Sequence, residues 1–228
     1  MFDWLNSMIQ TWFHWVHDWG YTGVIILMAM ESSIFPVPSE VVVPPAAILA
    51  AQPGGSMTFW GVVIAGTVGS YIGSAITYLV ALWVGRPLVM RYGRYFFMPP
   101  DKVVRAERFM HRYENGGIFF ARLLPVLRHL ISIPAGIIRM NFLKFSVLTT
   151  VGAAIWCYVL AVLGERVGQK LTPEQLGALK AGEGVDVTHL IAAVKHEALW
   201  VMIVIMLVCV LYFVARRLTA KGADEPVA

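Results

Sequence analysis

Between Glu40 and Arg86 no side chain carries a formal charge. A crossing of the hydrocarbon core takes about 20 apolar residues, so this stretch is long enough for more than one passage through a bilayer. The rest of the 228-residue chain agrees, being 58% hydrophobic and 14% charged, with a mean hydropathy of +0.67. Soluble domains carry about 25% charged residues. The composition is that of an integral membrane protein with one compact, all-α membrane domain. Its net charge of +4 comes mainly from Arg and Lys outside the apolar runs, so it reports topology and gives no reason to expect a nucleic-acid partner. Cys157 and Cys209 both fall in apolar runs with no metal-ligand spacing around them, and read as packed thiols.

Residues 1–20 lack the basic n-region and small-residue cleavage site of a signal peptide. Asp3, Asn6, Ser7, Gln10, His14, His17 and Asp18 share one helical face, and Leu5, Ile9, Trp12, Val16 and Trp19 the other. That pattern predicts an N-terminal amphipathic helix lying in the membrane interface.

Four segments approach spanning length: 58–85, 117–138, 145–163 and 198–215. Two shorter apolar runs, 21–35 and 41–52, flank Pro36 and Pro38. The loop 86–115 holds seven basic residues against three acids and is therefore cytoplasmic. Arg216, Arg217 and Lys221 place the 216–228 tail on the same side. Two inside points require an even number of crossings between them. Segments 145–163 and 198–215 supply two, so 117–138 enters and leaves from the cytoplasmic face as a re-entrant hairpin. Segment 58–85 ends inside and starts outside, which makes a second hairpin, about 31–55, dip in from the outer face. The membrane core is then 21–163, followed by an extracytoplasmic loop 164–197 and a C-terminal transmembrane helix 198–215. Oppositely dipping hairpins, each followed by a long helix, form an inverted repeat, an architecture of transporters. Re-entrant loops also occur in channels. In 58–85 the residues Gly61, Gly66, Gly69, Ser70, Gly73 and Ser74 provide a small-residue face for close helix packing.

The charges inside this apolar framework mark the candidate site. Residues 119–136 read FFARLLPVLRHLISIPAG, with Arg122 and Arg128 in surroundings where a guanidinium costs about 2.5–3.5 kcal/mol to insert. Pro125 and Pro134 interrupt the run and Gly136 closes it. In the first hairpin, ESSIFPVPSE places Glu31 and Glu40 on either side of Pro36 and Pro38. On one continuous helix the two acids would face opposite ways; the prolines break that helix and let both turn toward one cavity. Two acids of one hairpin then face two arginines of the other. A structural pair of salt bridges is the plain alternative, but intramembrane charges more often line a pathway. Arginine's planar fork suits a phosphate, and the acids suit proton coupling. Neither a metal cluster nor a serine–histidine–acid set occurs at membrane depth, so no metal, cofactor or enzymatic activity is expected.

These residues resemble the DedA family, also called the SNARE-associated or VTT-domain superfamily. The resemblance runs from about Glu31 to Gly168 and is strongest from Phe120 to Arg128, then at Pro134, Ala135, Gly136, Met140 and Phe145. Glu31, Pro36, Pro38, Ser39, Glu40 and Pro44 match the family's first hairpin, with Gly69, Gly73, Gly152 and Trp156 in support. His129 departs from the pattern, since small or hydroxyl residues are common there. The resemblance implies a multi-pass protein of the bacterial inner membrane, with opposed re-entrant hairpins and a cytoplasmic C-terminus. It also implies movement of lipids between leaflets, of undecaprenyl phosphate or a phospholipid, dependent on the proton motive force. Carried over by position, Glu31 and Glu40 are the essential acids and Arg122 and Arg128 the essential arginines. The expected partners are a membrane lipid headgroup and protons, and association into a homo-oligomer is left open. The alternative function is a proton-coupled exporter or antiporter of a small molecule or cation.

Overall fold

The computed structural model describes residues 11–12, 14–33, 39–51, 57–85, 128, 131–169 and 171. The basic loop 86–115, Arg122, Pro36, Pro38, Pro125 and the expected 198–215 helix lie outside them. Among the described residues the regular structure is helical, with no strand.

The two long helices are α3, Phe59–Val80, which runs on through a π-helical turn, Ala81–Gly85, and α5, Phe142–Gly168. Both are long and apolar enough to cross a membrane. Their starts are set by side-chain caps. Thr58 Oγ1 accepts the Gly61 N–H at 3.2 Å, and Asn141 Oδ1 accepts the N–H groups of Leu143 and Lys144 at 2.9 and 3.2 Å. Each cap satisfies donors that a helix's first turn otherwise leaves unpaired.

Each long helix exposes an apolar stripe on a four-residue spacing. On α3 it is Trp60, Ile64, Val68, Ile72 and Ile76, and on α5 Leu143, Val147, Val151 and Ile155. Stripes this long do not face water on a soluble monomer; they face lipid. Trp60 and Trp83, both largely exposed, stand about 35 Å apart along the helix axis, close to the spacing of the two aromatic belts of a bilayer.

Two shorter helices, α1 (Tyr21–Glu31) and α2 (Ser39–Ala50), pack between the long ones. Helix α1 runs parallel to α3. Its first residue, Tyr21, accepts the Thr58 N–H at 2.7 Å through its hydroxyl, and the Ser32 carbonyl just past its last residue accepts from Thr77 Oγ1 at 3.3 Å. Helix α2 returns along α5, with Ser39 beside Trp156, Pro44 against Gly164 and Ile48 against Gly168. Arms of 11 and 12 residues reach about 16–18 Å, so the facing ends, Glu31 and Ser39, lie at the middle depth of the long helices.

Glycines set how closely these helices approach. A Cβ on Gly69 or Gly73 would run into the backbone of Ile25 or Ala29 in α1, so the small-residue face of α3 is where α1 lies down. Gly164 admits the backbone of Pro44 to α5 in the same way. Gly20, at φ +54°, turns the chain between the helical residues 14–19 and α1. Val16 and Trp12 of the preceding segment are buried in the bundle, whereas Trp19 is exposed.

The last element, α4 (Ser132–Ile137), packs along the far end of α3. Gly136 lies against Tyr78 and Ala81, and Ile137 against Gly85. Pro134 falls in the first turn of α4, where its missing N–H has no intrahelical acceptor to lose. A small core of Tyr78, Ala135, Met140 and Phe145 closes this end, with the Tyr78 hydroxyl donating to the Met140 carbonyl. The larger core, built on Leu27, Val42, Val62 and Leu160, fills the opposite half.

Candidate functional site

Where the two cores meet, the interior turns polar. Glu31 ends α1, and Arg128 precedes α4 by four positions. The two are buried against each other with Arg128 Nη2 2.5 Å from Glu31 Oε2. The second carboxylate oxygen, Oε1, accepts the backbone N–H of Ser39 at 2.9 Å. Ser39 is the first residue of α2, so Glu31 sits at that helix's N-terminus, where unpaired N–H groups and the helix dipole favour an anion.

A closed ring of contacts fixes this arrangement. Trp156 Nε1 donates to Ser39 Oγ at 3.2 Å. The Trp156 ring carries the Arg128 guanidinium, 5.4 Å from Arg128 Cζ to the ring centroid, a cation–π geometry worth roughly 0.5–2 kcal/mol. Glu31, Arg128, Trp156 and Ser39 therefore hold one another from three helices and the Arg128 segment. Burying the two charges is tolerable only because each has a partner and further polar contacts. On the side of the ring toward α4, Ser32 Oγ and Ser70 Oγ are 2.9 Å apart and buried.

What this arrangement offers chemically is a seat for one oxyanion. A guanidinium and a helix N-terminus converge on a single point, and in this conformation the protein's own carboxylate occupies it. A phosphate oxygen has the same charge and hydrogen-bonding needs, and arginine binds it through the same fork.

Of the acids and arginines singled out by sequence, the structure brings Glu31 and Arg128 together. Glu40 is only partly buried; its charge bears on Glu31 as a like charge, and it makes no ion pair among the described residues. Arg122 lies outside them, as do Pro36, Pro38 and Pro125. Gly136 lets α4 pack closely on the end of α3, since a Cβ there would lie 2.7 Å from Ala81 Cβ. Charge does not single out Ser39 or Trp156 as parts of the site. Trp156 sits in an apolar run and entered the sequence reading only through the family resemblance, as Ser39 did; its place on the buried face of α5, level with Ser39, shows its contacts. Among the described residues no group of His, Cys, Asp and Glu side chains could hold a metal.

Lipid-facing long helices around a buried carboxylate–guanidinium pair define a helical integral membrane protein. Residues 37–166 match the VTT domain. Undecaprenyl phosphate transporter A of Bacillus subtilis (strain 168) is 32% identical to this chain over 95% of its length and 98% of the relative's. The Staphylococcus aureus (strain NCTC 8325 / PS 47) protein of the same name is 27% identical over 88% and 92%. An alkaline phosphatase-like protein of Lactococcus lactis subsp. lactis (strain IL1403) is 35% identical over 67% and 73%. No solved structure matches. The chain belongs to the VTT-domain, or DedA, family.

Proposed function

We propose that the chain carries a lipid phosphate, undecaprenyl phosphate or a phospholipid, between the leaflets of the bacterial inner membrane. The observation that carries the reading is the anion seat of Arg128 and the α2 N-terminus, occupied by Glu31. The names of the Bacillus subtilis and Staphylococcus aureus relatives support the substrate class.

In this reading α1 and α2 are the arms of a re-entrant hairpin entering from the outer face. The Arg128 segment and α4 form the returning arm of its counterpart from the inner face, and the two halves are an inverted repeat. Exposed Arg139 and Lys144 at the α4–α5 junction agree with a cytoplasmic end there. The 1–20 helix lies at the interface, 164–197 is extracytoplasmic, and 198–215 is the last crossing before a cytoplasmic tail.

The chemistry is an exchange on one arginine. The incoming phosphate displaces Glu31 from Arg128, and a proton taken up by Glu31 removes the charge that would otherwise compete. Phosphate binding and proton uptake are then linked because both act on the same guanidinium. Arg122 supplies a second cation and Glu40 a second proton acceptor, while the lipid tails stay in the bilayer.

A proton-coupled exporter of a small cation is the second reading. Partly buried Glu40, outside any ion pair among the described residues, is the feature that favours it. The deciding experiment follows labelled undecaprenyl phosphate and labelled phospholipids between leaflets in proteoliposomes. Wild type is expected to move the phosphate-bearing lipid, and Arg128→Ala to slow it by more than about tenfold, as loss of a charged hydrogen bond requires. Equal rates in both proteins would refute the reading. Cation efflux without headgroup movement would select the exporter.

A further inference from the structure

A threonine in a membrane helix commonly satisfies its hydroxyl by bonding the carbonyl one turn back. Thr67 does so, donating to Val63 at 2.7 Å, and Thr77 does so to Gly73 at 2.9 Å. Thr149 does not. It is fully buried in α5, yet among the described residues its Oγ1 has no hydrogen-bond partner. A valine would fill the same space without desolvating a hydroxyl, so this group has a use outside the conformation at hand.

Its position indicates the use. Phe145, Thr149, Gly152 and Trp156 form one buried stripe on α5. Phe145 stacks on Tyr78 in the core at the α4 end, and Trp156 carries Arg128. Thr149 thus lies between them, about 10 Å along the axis from Trp156. Ser132, four positions after Arg128, and Ser74 are likewise fully buried. Because α4 packs along α3 with Gly136 at Tyr78, these two serines fall at one level beneath the ion pair. Together with the Ser32–Ser70 pair they place buried hydroxyls on that side of the site, and Thr149 adds one that has no partner among the described residues.

Resting on the lipid-phosphate reading, we propose that Thr149 is a second contact for the phosphate headgroup, nearer the α4 end of the protein than Arg128. A phosphate monoester presents more acceptor positions than one guanidinium fork engages. A neutral hydroxyl donates to an oxyanion passing between Arg128 and the membrane surface without trapping it there.

The test uses the full-length protein in proteoliposomes with labelled undecaprenyl phosphate, comparing wild type, Thr149→Val and Thr149→Ser. Because Thr149 Oγ1 makes no hydrogen bond among the described residues, Thr149→Val is expected to keep or raise the Tm while increasing KM for the lipid about tenfold. Thr149→Ser is expected to restore the wild-type KM. An unchanged KM in Thr149→Val overturns the proposal, and so does a KM increase that comes with a lowered Tm and no rescue by serine. A wild type that moves no lipid overturns the parent reading and this one with it, whereas an active wild type with an equally active Thr149→Val overturns this one alone. Inorganic phosphate identifies the source of the oxyanion. For a lipid headgroup it inhibits neither protein; inhibition of wild type but not of Thr149→Val would assign the contact to free phosphate and overturn the headgroup proposal.

Discussion

Removing either member of the Glu31–Arg128 pair leaves the other charge buried without its partner. Glu31→Gln keeps the shape of the side chain and an acceptor for the Ser39 N–H, but it strands the Arg128 guanidinium in a site where both groups are almost inaccessible to water. Breaking a buried pair in this way costs about 3–5 kcal/mol. For a domain of this size that corresponds to a Tm lowered by roughly 6–20 °C. Arg128→Gln strands the carboxylate and belongs in the same range, eased in part by the α2 N-terminus that still faces Glu31. The double variant has no buried charge left at the ring, so it is expected to lose less than the sum of the singles, by about 1–3 kcal/mol of coupling. Thermal unfolding of the four proteins in one detergent, with lipid transport in proteoliposomes alongside, measures both effects. The double variant is expected to recover stability without recovering transport. Additive losses, or single variants as stable as wild type, would refute a direct buried interaction between the two side chains. A double variant that transports normally would make the pair a structural staple.

Two further outcomes follow from the packing. Trp156→Phe keeps a ring beneath Arg128 but loses the bond to Ser39, whereas Trp156→Leu loses both; KM for the lipid is expected to rise modestly in the first and more steeply in the second, and equal values would remove the ring from the account. Gly73→Val drives a side chain into the Ala29 backbone, and overpacking of this kind costs about 1–3 kcal/mol. A lowered Tm is therefore expected, while an unchanged one would contradict the close approach of α1 to α3.

Much of the framework was legible because membrane insertion leaves a coarse signal. The uncharged run fixed α3 almost to the residue, expected at 58–85 and found from Phe59 to the end of the π-helical turn at Gly85. Helix α5 extends beyond the expected 145–163 at both ends, over Phe142–Gly168. The Asn141 cap starts it early, and Glu165 and Arg166 sit in its last turn, where charges meet the interface and need not end a helix. Pro44 and Pro45 would end a helix by local propensity, yet α2 continues through them, with the Pro44 backbone packed on Gly164. The site itself was half legible. Intramembrane charge exposed Glu31 and Arg128, which stand 97 positions apart in the chain. Ser39 and Trp156, separated by 117, carry no such signal, and neither does the idle hydroxyl of Thr149. The family resemblance includes Ser39 and Trp156, but their contacts arise from which helix faces meet, and charge and spacing do not encode that.

In the proposed exchange, Glu31 and a lipid phosphate compete for Arg128. Binding of undecaprenyl phosphate and of undecaprenol to the purified protein, each titrated at acidic and alkaline pH, tests it most directly. The phosphate form is expected to bind the wild type more tightly at acidic pH, where protonation of Glu31 would release the arginine. Tight, pH-independent binding is expected in Glu31→Gln and weak binding in Arg128→Gln. Equal affinity for the phosphate and the alcohol in all three proteins would contradict it.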